Sequence, residues 1–102
     1  MLTPITFAKV IADETRQQIM SLLCCQQFCV SDIVEQTAVS QPTVSHHLNV
    51  LREAGLVTSE RIGKQVFYTL NQAAVVSCCG RLVQNFAPNY QTIPIMTEDQ
   101  DE

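Results

Sequence analysis

The segment from Ser40 to Gly55 carries its own start, stop and sidedness, and it restricts the folds open to this chain more than any other stretch. Ser40 is a good N-cap, and Pro42 suits a first helical turn, where its missing N–H has no intrahelical acceptor to satisfy. Gly55 supplies a left-handed stop. Between them Val44, Leu48 and Leu51 fall at i, i+4 and i+7, a single apolar stripe. The spacing predicts a helix with one face in a core and the other free. That free face carries Gln41, Thr43, Ser45, His46 and Asn49. These are short hydrogen-bonding side chains of the kind that contact base edges and phosphates.

The flanking segments fit around this helix. Pro4 to Ala12 has helical spacing in Ile5, Ala8 and Ile11, with proline in the first turn. Asp13 can cap a helix from Glu14 to about Cys25, its apolar face made by Ile19, Met20, Leu22 and Leu23. Ser31 is expected to cap a short helix through Thr37, which Ala38-Val39 joins to the helix already described. Leu56–Arg61 and Gln65–Leu70 are rich in strand formers and flank Ile62-Gly63-Lys64, a hairpin signal. Asn71 can cap a last helix through Phe86, closed by Pro88. The predicted order is ααααββα, mainly α with a β-hairpin wing, in other words a winged helix-turn-helix. Arg61 and Lys64 stand at the hairpin tip, where a phosphate or minor-groove contact is expected. The free N–H groups opening the Ser40 helix favour a phosphate as well.

Charge and length narrow the function. The chain has 102 residues, enough for one small domain, expected over residues 1–90. A monomer of this size buries only about 60–65% of its unfolded surface, so pairing with a second copy would help it. The net charge is −4, but Glu98, Asp99, Asp101 and Glu102 sit in the last five residues. Without them the six remaining acidic side chains balance the six basic ones. The acidic total therefore does not exclude a nucleic-acid partner, and the segment 91–102 is expected to be a disordered acidic tail. No apolar run reaches the roughly 18–20 residues of a membrane helix, and no basic stretch followed by an apolar one opens the chain. Membrane and secreted classes are not expected, and a cytoplasmic protein is. A Gly-rich phosphate loop and a Ser-His-Asp spacing are both missing, so an enzyme is not expected either.

The run Ser40-Gln41-Pro42-Thr43-Val44-Ser45-His46-His47-Leu48, continuing through Leu51-Arg52-Glu53-Ala54-Gly55-Leu56-Val57, closely resembles the recognition-helix signature of ArsR-type metalloregulators. Ala12-Asp13-Glu14-Thr15-Arg16 and Arg61-Ile62-Gly63-Lys64-Gln65-Val66-Phe67-Tyr68 are similar to the same family, so the likeness covers about residues 5–86. It implies a homodimeric repressor, joined through its first and last helices, that binds an imperfect palindrome in operator DNA and releases it on binding an inducer. By matching position, Gln41, Thr43, Ser45 and His46 are the expected DNA contacts. His46 and His47 are not expected to share a metal, because neighbours on a helix diverge by about 100°.

The inducer turns on five cysteines, an odd number that in a reducing compartment points to metal binding or redox chemistry. The resemblance implies two familiar sites, and neither is intact. Zinc sensors of the family use Asp, His and Glu on the last helix, and no His follows His47. The arsenic site has the pattern E-L-C-V-C-D-L-C, whereas this chain reads Gln27-Phe28-Cys29-Val30-Ser31-Asp32-Ile33-Val34, where of the three thiol ligands only Cys29 matches and Ser31 and Val34 replace the others. Two vicinal pairs remain, Cys24-Cys25 and Cys78-Cys79. Val75, Cys79, Leu82 and Phe86 share an apolar stripe, which suggests a buried Cys79 and a Cys78 more exposed beside Ala74 and Arg81. Thiolates without His or carboxylate partners favour soft species. The expectation is As(III) or Sb(III) at Cys78 and Cys79, the third thiol coming from Cys24, Cys25, Cys29 or a partner subunit. Alternatives are a cluster of Cys24, Cys25 and Cys29, a thiol-based redox or persulfide response, and a cadmium, lead or zinc response.

Overall fold

A computed structural model describes residues 2–90. Its elements run α1 (Pro4–Ile11), α2 (Glu14–Leu23), β1 (Phe28–Cys29), α3 (Val30–Thr37), α4 (Gln41–Glu53), β2 (Val57–Ile62), β3 (Gln65–Leu70) and α5 (Gln72–Phe86). The predicted winged helix-turn-helix order is present, with one added element. β1 is two residues long and pairs antiparallel with β3, Phe28 opposite Tyr68 and Cys29 opposite Phe67, so the sheet order is β1-β3-β2. So short a strand has no period of its own, and only the distant β3 edge defines it.

Local chemistry accounts for most of the boundaries. Thr3 Oγ1 accepts from the Thr6 N–H at the start of α1, and Asp13 Oδ1 from the Arg16 N–H at 2.9 Å at the start of α2. Asn71 Oδ1 accepts from the Ala74 N–H at the start of α5. Helix α4 ends where expected, with Gly55 at φ +81. Helix α3 departs from expectation, because its N-cap is Cys29 rather than Ser31. Asp32 lies one turn on, and its carboxylate accepts from the Cys29 N–H at 3.3 Å. The side chain that answers the orphan N–H therefore comes from inside the helix, and Ser31 is displaced into the first turn. The turn between α3 and α4 passes through Ala38 at φ +57, a left-handed residue whose N–H bonds the Val34 carbonyl.

The core is built by Phe7, Ile19, Leu23, Ile33, Val44, Leu48, Leu51, Leu56 and Val57. The α4 stripe of Val44, Leu48 and Leu51 lies inward as its spacing requires. Two helices are rotated from the expected orientation. In α1 the core residues are Phe7 and Val10, while Ile5 is 70% exposed. In α5 the buried residue is Cys78, whereas Val76 is 70% and Phe86 79% exposed. Both helices carry apolar side chains on more than one face, so periodicity alone does not choose the inward one.

Candidate nucleic-acid interface and cysteine sites

Helix α4 is held by its inner face and offers its outer one. Val44, Leu48 and Leu51 are sunk in the core, and Gln41, Thr43, Ser45, His46 and Asn49 are all exposed. The Ser40 hydroxyl donates to Thr43 Oγ1 at 3.0 Å, and Arg52 Nη2 donates to Asn49 Oδ1 at 3.3 Å. These bonds set two of the outer side chains without burying them. The opening turn of α4 adds backbone N–H groups that no carbonyl within the helix can satisfy.

The hairpin stands beside this helix. Strands β2 and β3 pair from Val57 opposite Leu70 to Ile62 opposite Gln65, leaving Gly63-Lys64 as a two-residue turn. Gly63 has φ +65, a conformation that two-residue hairpin turns require and that L side chains rarely adopt. Arg61 and Lys64 are exposed at this tip, so the structure puts every expected DNA contact at the surface. The path of the chain from α4 through Gly55 into β2 is anchored by the Asn71 N–H on the Leu56 carbonyl at 2.8 Å. The Asn71 side-chain amide holds the Gly55 carbonyl at 3.1 Å.

A polar knot that sequence reasoning did not foresee seats α4. Arg16 on α2 donates through Nε to the Val10 carbonyl near the end of α1, and its Nη1 lies 3.1 Å from Nδ1 of His47 on α4. A guanidinium only donates, so Nδ1 accepts and the imidazole proton sits on Nε2. That nitrogen faces Asp13 Oδ1 at 3.9 Å. His47 is only 9% exposed. Burial holds its pKa below the usual imidazole value; the charges of Arg16 and His46 act in the same direction, and Asp13 opposes them. Asp13 is itself held below the ordinary carboxylate value, chiefly by the Arg16 N–H. One signal was legible: Arg16 lies three and seven residues before Ile19 and Leu23, on the same helical face as the α2 core.

The cysteines are distributed differently from expectation. Cys78 is buried and Cys79 is exposed, the reverse of the predicted order. Cys78 borders a recess with Leu2, Ala54, Ala74, Ser77 and Arg81, whose guanidinium is turned to the Leu2 carbonyl at 2.6 Å. Cys79 borders another, with Phe7, Ile11, Met20 and Val75. Cys29 is buried, its thiol donating to Asp32 Oδ2 at 3.2 Å. Cys24 and Cys25 are the pair whose thiols meet, Sγ to Sγ 2.7 Å, and this contact raises the pKa of Cys24 above the ordinary thiol value. Among the described residues no three His, Cys, Asp or Glu side chains converge to hold a metal ion. A three-sulfur site therefore needs either a second subunit or a rearrangement of this one.

Residues 13–59 match the family described as bacterial regulatory protein, arsR family. The arsenical resistance operon repressor of Staphylococcus aureus is 40% identical over 68 residues, 67% of this chain and 65% of that protein. The chain thus spans just under two thirds of that relative's length. The transcriptional repressor SdpR of Bacillus subtilis is 40% identical over 63 residues, 62% of this chain and 70% of that one. Among solved structures, an ArsR-like transcriptional regulator from Rhodococcus superposes with a TM-score of 0.76 at 27% identity, covering 80% of this chain and 75% of that one.

Proposed function

Because the chain belongs to the arsR family of bacterial regulatory proteins, we propose that it is a cytoplasmic, homodimeric transcriptional repressor that releases operator DNA when a thiophilic inducer binds. The observation that carries this reading is the two-sided α4, fixed inward by Val44, Leu48, Leu51 and the His47–Arg16 contact and lined outward by five exposed hydrogen-bonding side chains. In this reading Gln41, Thr43, Ser45, His46 and Asn49 enter the major groove, and Arg61 and Lys64 hold phosphates or the minor groove. Two copies related by a two-fold axis reach successive major grooves about 34 Å apart, which matches an imperfect palindrome. Support for pairing through α1 and α5 comes from their outer faces, where Ile5, Val76, Val83 and Phe86 are exposed in the single chain.

The inducer we favour is arsenite or antimonite, bound by Cys78 and Cys79 with a third thiolate from Cys24, Cys25, Cys29 or the partner subunit. Trivalent arsenic takes a pyramid of three sulfurs, and α5 belongs to the face proposed for pairing. Binding there would turn one subunit against the other and spoil the groove spacing, for which a coupling of roughly 1–3 kcal/mol is typical. The Staphylococcus relative is named for arsenical resistance; SdpR is named only as a repressor.

The test is fluorescence anisotropy of the fully reduced protein on its own upstream DNA, titrated with arsenite and separately with zinc. Release by arsenite alone is expected, and Cys78→Ser with Cys79→Ser should keep DNA binding and lose release. Release that persists in the double variant moves the inducer to Cys24, Cys25 and Cys29. Tight binding that arsenite leaves untouched replaces the metalloid with an oxidant, a persulfide or another metal.

A further inference from the structure

Neighbouring side chains on a regular helix diverge by about 100°, so two adjacent cysteines do not normally meet. Cys24 and Cys25 nonetheless meet at the end of α2, which stops at Leu23 with Cys24 as its C-cap. Their sulfurs lie 2.7 Å apart; Cys25 is exposed and Cys24 half-buried. The backbone at this point is also wired to the rest of the fold. Gln72, the first residue of α5, donates its side-chain amide to the Cys24 carbonyl at 2.6 Å. Its neighbour Asn71 grips Gly55 and Leu56, the residues that follow α4. A line of hydrogen bonds thus runs from the thiol pair, through the start of α5, to the exit of the candidate reading helix.

We propose that Cys24 and Cys25 are a redox-responsive dithiol, closed by a hydroperoxide into a vicinal disulfide, and that closure is transmitted through Gln72 to α5 and the end of α4. The chemical step stands on the thiol geometry; its effect on DNA rests on the repressor reading above.

The step balances as follows. The Cys25 thiolate, reachable from solvent and facing the Cys24 S–H, attacks one peroxide oxygen. An S–O bond forms, the O–O bond breaks, and the hydroxide released is protonated to water. The Cys24 sulfur then attacks the sulfenic sulfur of Cys25. The S–S bond forms, the S–O bond breaks, and the Cys24 proton leaves with the hydroxyl group as a second water. The two thiols are oxidised by two electrons and the peroxide is reduced. Consecutive Cα atoms are about 3.8 Å apart, while unstrained bridges span about 4.4–6.8 Å. Closure therefore twists the Cys24–Cys25 peptide and shifts the carbonyl that Gln72 holds.

The experiment treats the fully reduced, full-length protein with stoichiometric hydrogen peroxide, alkylates it and digests it with trypsin. The peptide Gln17–Arg52 contains Cys24, Cys25 and Cys29, so Cys29→Ser isolates the pair. In that variant the peptide is expected to lose the mass of two hydrogens and to resist alkylation until a dithiol reductant is added. In Cys25→Ser it should do neither. Operator affinity should fall roughly fivefold or more on oxidation. It should recover on reduction, and Gln72→Ala should form the same disulfide while losing the affinity response. A bridge to Cys29, Cys78, Cys79 or another subunit overturns the proposal, as does oxidation to sulfinic acid without a bridge. A vicinal disulfide in a protein whose operator affinity does not move overturns the transmission through Gln72. A protein that binds no operator in any redox state sinks the repressor reading instead, and the peptide masses still decide the disulfide.

Discussion

Replacing Arg16 by methionine keeps an unbranched apolar side chain, a shorter one, and removes the guanidinium that joins three helices. Two bonds disappear, from Nε to the Val10 carbonyl and from Nη1 to His47 Nδ1. Each involves a charged donor, for which the net contribution is about 1.5–3 kcal/mol, and both acceptors are left in a part-buried site. Allowing for some recovery from methionine packing, the loss is about 3 kcal/mol. That is a large part of the roughly 5–15 kcal/mol that holds a domain folded. At about 4–8 °C per kcal/mol for a domain of this size, Tm should fall by roughly 12–24 °C. Thermal unfolding followed by circular dichroism at one fixed protomer concentration reads this directly, since a dimer's Tm depends on concentration. The same knot sets a pH dependence. His47 has a folded pKa below its unfolded value of 6.5. The unfolded chain therefore binds the proton more readily, and stability present above pH 6.5 is lost as pH falls below it. Arg16→Met removes one of the charges that lower this pKa, so the loss on acidification should be shallower in the variant. A Tm within about 3 °C of the parent, with an unaltered pH profile, would refute the role given to Arg16.

The reading face and the wing make separable predictions. Ser45→Ala and His46→Ala should each weaken operator binding by about 1–3 kcal/mol per half-site, with Tm essentially unmoved because both residues are exposed. Anisotropy titrations with both variants at parental affinity would remove α4 from the interface. Arg61→Ala and Lys64→Ala should instead weaken binding to all sequences alike. Each should also lower the slope of log affinity against log salt by about 1.8, the share of one phosphate from each of the two subunits. An unchanged slope in both would take the hairpin tip off the DNA.

Legibility in the sequence followed the range of the interaction. The ends of α4 rest on Ser40, Pro42 and Gly55, and the hairpin on Gly63 between two strand-forming runs; each is a signal within a few residues, and each was correctly placed. The start of α3 lies two residues before the expected cap Ser31, because the Asp32 carboxylate inside the helix answers the Cys29 N–H. The faces of α1 and α5 were misjudged for a different reason. Apolar side chains surround both helices, and which of them point inward depends on what the rest of the fold supplies.

The chain's local chemistry determined the helix order, the wing and the residues lining the outer face of α4, because capping, turn geometry and helical period act between near neighbours in sequence. The tertiary structure alone decided that β1 exists, since its partner strand lies some forty residues away. It alone brought Asp13 and Arg16 to His47 and turned Cys78 inward and Cys79 outward. It also placed the meeting of Cys24 and Cys25 against Gln72. Those outcomes depend on contacts between residues far apart in the chain, and such contacts form only when the helices have packed around one core.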